Sequence, residues 1–103
     1  MQYRLLGRTG VSVSALCYGT MSFGGDADEA TSGALYARCR NAGINFFDCA
    51  NTYGRGRAEE ILGKLIKGER NELVITTKIG FPMRDASNGA GLARRNIVRE
   101  VED

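Results

Sequence analysis

With 103 residues, 43% of them hydrophobic and 25% charged, the chain has material for at most one domain, and its composition is that of a folded globular protein and not a disordered tail. The formal charge is only +2, and basic residues such as Arg4, Arg38, Arg57, Lys64 and Arg94 neither cluster nor interleave with aromatics, which excludes a nucleic-acid stripe. No apolar run approaches the roughly 20 residues of a membrane span.

The N-terminus, MQYRLLG, lacks the apolar core of a secretory signal, which predicts a cytoplasmic protein. Residues 3–16 then read as a β-hairpin. Gly7-Arg8-Thr9-Gly10 supplies the turn, and Val11, Val13 and Ala15 alternate with Ser12 and Ser14. A short strand over residues 16–20 breaks at Gly24-Gly25. Asp26 and Asp28 are candidate caps for a helix over 29–41, with Ala30, Ala34, Leu35, Ala37 and Ala42 expected to face inward and Gly43 to end it.

A strand over 45–49 follows, then a loop over 50–56. The next helix is the clearest periodic segment: Ala58, Ile61, Leu62, Leu65 and Ile66 recur at helical spacing, with Glu59, Glu60 and Lys64 outside. The strand over 73–78 is nearly continuous in apolar and β-branched residues, as expected of a parallel strand covered on both faces. A polar loop spans 80–91, and a last helix starting near Leu92 carries Ile97, Val98 and Val101 on one side.

Cys17, Cys39 and Cys49 are odd in number, widely spaced and form no CxxC pair, and the chain has no histidine. A metal site is therefore not expected, and the three thiols are expected reduced and packed as small hydrophobes.

The order is a hairpin, then β-α-β-α-β, then a third helix, an alternation that specifies a parallel sheet with right-handed crossovers. Two α/β folds compete for it. A Rossmann unit finds superficial support in Gly54-Arg55-Gly56-Arg57-Ala58-Glu59, but Glu59 stands where the third glycine of GxGxxG belongs, and a carboxylate there repels the pyrophosphate the motif holds. The other candidate is a (β/α)8 barrel, whose catalytic residues cluster at the C-terminal ends of several strands. Thr20, Asp48 and Lys78 occupy such ends, with Tyr53 on the loop after the second strand. Taken singly, an Asp can cap a turn, a Tyr can pack and a Lys can sit in solvent; together they meet at one mouth. Acid, phenol and ammonium so placed are the parts of a tyrosine that gives its proton to a carbonyl oxygen.

These residues carry a family resemblance. YRLLGRTGVSVSALCYGTMSFGG, GINFFDCANTYGRGRAEEILG and LVITTKIG resemble the opening hairpin and first strand, the most specific signature and the lysine strand of the aldo-keto reductases, closest to the branch of potassium-channel β subunits. The resemblance spans nearly the whole chain. It departs where Cys49 replaces a usual Thr and where Ala93 and Asn96 replace a common Ser and His.

The resemblance implies the N-terminal portion of a TIM barrel: a hairpin over 1–16, then the first three βα units over 17–103, a single incomplete domain. It implies NADPH (or NADP+) as cofactor, its adenine and 2′-phosphate held beyond these residues, and a small carbonyl compound as substrate. Tyr53 becomes the general acid, Lys78 the cation beside it, and Asp48 the carboxylate that holds Lys78 and contacts the cofactor ribose. Gly19, Thr20 and Met21 lie beside the nicotinamide, and Met21 and Tyr53 border the substrate pocket. The family's catalytic histidine lies on the strand after these. The expected activity is reduction of an aldehyde or ketone, with the 103 residues alone inactive. The other expectations are a nicotinamide-binding regulatory or redox-sensing subunit, and a non-catalytic piece of such a barrel.

Overall fold

A computed structural model describes residues 1–103 throughout. The hairpin forms as expected: β1 (Tyr3–Leu5) pairs antiparallel with β2 (Ser12–Ser14), Tyr3 opposite Ser14. Val13 is the one buried member of its alternating set, with Ser14 buried beside it, while Val11 and Ala15 are exposed. Hydrogen bonds tie the hairpin to the segment before β4: the Tyr3 hydroxyl donates to the Gly43 carbonyl at 2.7 Å, and Asn45 bonds β2. Asn45 Oδ1 accepts from the Ser14 amide at 2.7 Å, and its Nδ2 donates to the Ser12 carbonyl at 3.2 Å. These bonds fix it at the N-terminal end of the next sheet, away from the strand ends that carry the candidate site.

That sheet has three parallel strands in the order β3 (Tyr18–Gly19), β4 (Phe46–Asp48) and β5 (Val74–Thr76). Helix α1 (Glu29–Asn41) follows β3, and α2 (Arg57–Leu65) follows β4. Asp28 caps α1, its Oδ1 accepting from the Thr31 amide at 2.8 Å, and Gly43 turns the chain out of the helix at φ +84°. Both helices cover one sheet face, where Phe23, Phe47, Ile61, Leu62, Ile44 and Leu73 form the core. The Phe47 and Tyr36 rings pack there with centroids 5.1 Å apart.

Three expectations need correction, and the apolar side of the last helix, for which no burial was predicted, finds its place. The inward face of α1 is Ser32, Tyr36 and Cys39, whereas Ala30, Ala34, Ala37 and Ala42 are exposed and Leu35 is half-buried. Alanine carries too little area to mark a face. The buried side chains are amphipathic ones with internal partners: Ser32 Oγ donates to the Ala27 carbonyl, and the Tyr36 hydroxyl donates to Glu69. Second, β5 is half-buried and not covered on both faces, because it is an edge strand and the helices lie on one side only. Third, Cys39 and Cys49 are buried thiols but Cys17 is exposed. The apolar side of α3 (Arg94–Glu102) is exposed, and its buried residue is Asn96, which donates to the Gly91 carbonyl at 3.1 Å. No helix is long and apolar enough to cross a membrane.

Candidate active site

The parallel register sets Gly19, Asp48 and Thr76 side by side across the three strands. Side chains two apart on a strand share a face, so Lys78 follows Thr76 on the side that carries Asp48. The ladder runs beyond the strand ends: the Cys49 amide donates to the Thr76 carbonyl at 2.8 Å and the Asn51 amide to the Lys78 carbonyl at 3.1 Å. The backbone bearing Lys78 is thereby tied to the loop bearing Tyr53.

The three expected catalytic side chains converge. Lys78 Nζ donates to Asp48 Oδ2 at 2.6 Å and to the Cys49 carbonyl at 2.6 Å. The same ammonium lies 4.8 Å from the centroid of the Tyr53 ring, a cation–π contact. Tyr53 opens a 3-10 turn, Tyr53–Gly56, and its amide donates to the Ala50 carbonyl at 3.1 Å. Gly54, Arg55 and Gly56 then run consecutively in the left-handed region before α2 begins. Arg55, at φ +54°, is the only non-glycine residue with positive φ, a conformation that costs roughly 1–2 kcal/mol, and its amide donates to the Thr52 carbonyl at 3.0 Å.

Burial pushes the Asp48 carboxyl up, but hydrogen bonds from Lys78 and Thr76 together with the Lys78 charge outweigh it, and the group sits below the usual carboxylate range. Burial pulls the Lys78 ammonium down, and its bond to Asp48 reverses that and holds it above the usual lysine range. The pair is thus ionised across the neutral range. With 48% and 36% of the two side chains exposed, it contributes geometry more than stability.

The cofactor and substrate positions divide. Gly19 has no atom within 4 Å of where a side chain would begin, leaving its backbone open to a flat ring. Met21 is 71% exposed and free to border a bound molecule. Thr20 is fully buried, and its hydroxyl donates to the Asp48 carbonyl at 3.0 Å, so its side chain braces the β3–β4 junction. A hollow of about 300 Å³ is lined by Ala50, Asn51, Thr52, Tyr53, Lys78, Ile79 and Phe81. This is the low end of the volume of small-molecule sites.

Two residues went unread in the sequence. Thr76 Oγ1 donates to Asp48 Oδ1 at 2.8 Å, opposite the oxygen that Lys78 takes. The available signal was its spacing, two positions before Lys78 on one strand. Asn51 is buried in the loop, its Nδ2 donating to Glu100 at 3.0 Å, and an isolated polar loop residue carried no signal for that contact 49 positions away.

A model of the aldo/keto reductase family matches residues 15–103. A rice protein (Oryza sativa subsp. japonica) described as a probable voltage-gated potassium channel subunit beta is 44% identical over 95% of this chain and 31% of its own length. An uncharacterized oxidoreductase of Bacillus subtilis (strain 168) is 42% identical over 99% of this chain and 35% of its own. Among solved structures, an aldo-keto reductase from Bacillus halodurans in its holo form superposes with a TM-score of 0.86 at 31% identity, covering 99% of this chain and 34% of that one. A putative aldo-keto reductase from Pseudomonas aeruginosa gives 0.83 at 39% identity, over 97% and 39%. The chain spans about a third of the length of the relatives it matches.

Proposed function

This chain belongs to the aldo/keto reductase family, and we propose from that premise that it carries the proton-donating part of an NADPH-dependent carbonyl reductase site. The observation that supports this reading is the convergence of Asp48, Lys78 and Tyr53 at the C-terminal ends of adjacent parallel strands. A reduced nicotinamide, when bound, supplies the hydride. The open backbone at Gly19 and the partly apolar hollow beside Tyr53 would take such a ring, and the partly exposed Asp48 carboxylate would face its ribose.

The chain's own residues supply the proton. Tyr53 donates its hydroxyl proton to the carbonyl oxygen as the carbonyl carbon is reduced, which leaves an alcohol and a phenolate that solvent reprotonates. Lys78 stands with its positive charge against the ring that takes up the negative charge. Asp48 and the Cys49 carbonyl keep the ammonium there. A positioned acid of this kind contributes about 10²–10⁴ in rate. In a closed barrel bearing this sequence, Tyr53→Phe lowers the rate of aldehyde-dependent NADPH oxidation by that factor and leaves quenching of cofactor fluorescence intact. Unchanged turnover removes Tyr53 from the role.

Residues 1–103 build a hairpin and three parallel strands whose sheet has two open edges, whereas a (β/α)8 barrel takes roughly 250 residues. A polypeptide of these residues alone is therefore read as one incomplete barrel domain and expected to show no turnover. The channel-β relatives favour a second reading, a subunit that binds nicotinamide as a redox sensor. Slow turnover with tightly retained cofactor selects that reading over the metabolic reductase.

A further inference from the structure

We propose that Thr76 is a positioning residue for the ion pair: its hydroxyl fixes one oxygen of Asp48 so that the other is presented to Lys78. Asp48 and Thr76 are direct partners in the β4–β5 register, and Lys78 lies two residues past the end of β5. One carboxylate is thereby gripped from one segment at both oxygens, by Thr76 Oγ1 on Oδ1 at 2.8 Å and by Lys78 Nζ on Oδ2 at 2.6 Å.

The physical need for a second grip is rotational. The terminal torsion of an aspartate is broad and roughly two-fold, so a carboxylate held by one cation swings. The lysine stem is flexible too, with four carbons and a point charge that imposes no orientation. Thr76 is β-branched and stiff at χ1, on a strand whose backbone is hydrogen-bonded to β4, and so adds a rigid reference that neither charged side chain possesses. With Oδ1 occupied, Lys78 spends one of its three protons on Oδ2 and one on the Cys49 carbonyl. The third is left over, and Tyr53 is the aromatic group the ammonium faces.

The positional claim stands on the register and distances; its catalytic consequence rests on the carbonyl-reductase reading above. The groups that bear on Asp48 are Thr76 from β5, Lys78 just past its end, and the Cys17 thiol before β3 through its charge, with Tyr53 beyond Lys78. The test therefore has two readouts. The first is a carbon-13 NMR titration of the Asp48 carboxyl in the full chain. Thr76→Val, which keeps shape and removes the hydroxyl, moves the midpoint upward, and Thr76→Ser keeps it at the wild-type position. A folded Thr76→Val with an unmoved midpoint overturns the proposal, as does Thr76→Ser with a raised one. If the Val variant does not fold, Thr76→Ala is titrated in its place, and an unmoved midpoint there overturns the proposal. The second readout is turnover in a closed barrel. There Thr76→Val lowers kcat about tenfold, the loss of one hydrogen bond to a charged group, with KM for the carbonyl unchanged and rescue by Ser. A raised KM with intact kcat overturns the positioning role. If the midpoint moves and the wild type reduces no carbonyl, the reductase reading fails while the grip on Asp48 stands.

Discussion

Helices α2 and α3 carry the same kind of sequence pattern and meet opposite fates. In α2, Ala58, Ile61 and Leu62 lie against the sheet, with Ile61 0% exposed. In α3, Ile97 and Val98 are 40% and 41% exposed and Val101 is 68% exposed. Periodicity thus specifies a helix with an apolar side but not the surface that covers it. The difference lies in what each helix follows. The segment after β4 returns across the sheet over Phe47 and Phe23, while the segment after β5 passes through the polar 80–91 loop before α3 begins. The candidate site belongs to the α2 side: Tyr53 sits in the turn that starts α2, and its neighbours rest on the same core.

Substitutions on the two helices separate these regions. Ile61→Ala is expected to cost about 2–5 kcal/mol, the range for emptying a fully packed aliphatic site, and Val98→Ala under about 0.5 kcal/mol. Urea unfolding of the two variants measures the contrast, and equal losses would mean that α3 is packed after all. Next in size comes Gly24→Ala. Gly24 has φ +73°, and a Cβ there would stand 2.3 Å from Arg57 Cγ and 3.2 Å from Ile61 Cδ1, so the change strains the turn and pushes on α2. A loss of about 1–3 kcal/mol follows from strain and overpacking, read from the same transitions. Asp28→Ala removes the α1 cap and should cost about 1 kcal/mol, which Asp28→Asn largely restores.

The smallest expected effect is electrostatic. Asp48 has a folded pKa below its unfolded value, so its contribution is present above about pH 3.9 and is lost as pH falls through the folded pKa. Stability measured against pH should therefore decline on the acid side, and Asp48→Asn should make that limb shallower. An identical acid limb in the variant would show that the Asp48–Lys78 pair is held by the fold without contributing to it.

The legibility of the chain follows the range of the interactions. Asp48, Tyr53 and Lys78 could be read because strand alternation and loop spacing are local, and they meet as expected. The faces of α1 could not, since Ser32, Tyr36 and Cys39 bury only by finding Ala27, Glu69 and the sheet, partners outside the helix. Thr20 was read as part of a segment beside a cofactor, and only the fold shows that its hydroxyl turns inward onto the Asp48 carbonyl.

Periodicity, turn residues and the placement of Asp48, Tyr53 and Lys78 just past their strands were written in the order of residues, because each is set by neighbours a few positions away. The tertiary structure alone decided that Asn45 bonds the hairpin, that Thr76 and Lys78 divide one carboxylate between them, and that the apolar side of α3 stays open. The first two are set by contacts between segments distant in sequence, where register decides which side chains meet, and the third by what the fold packs against a helix, which its own periodicity does not specify.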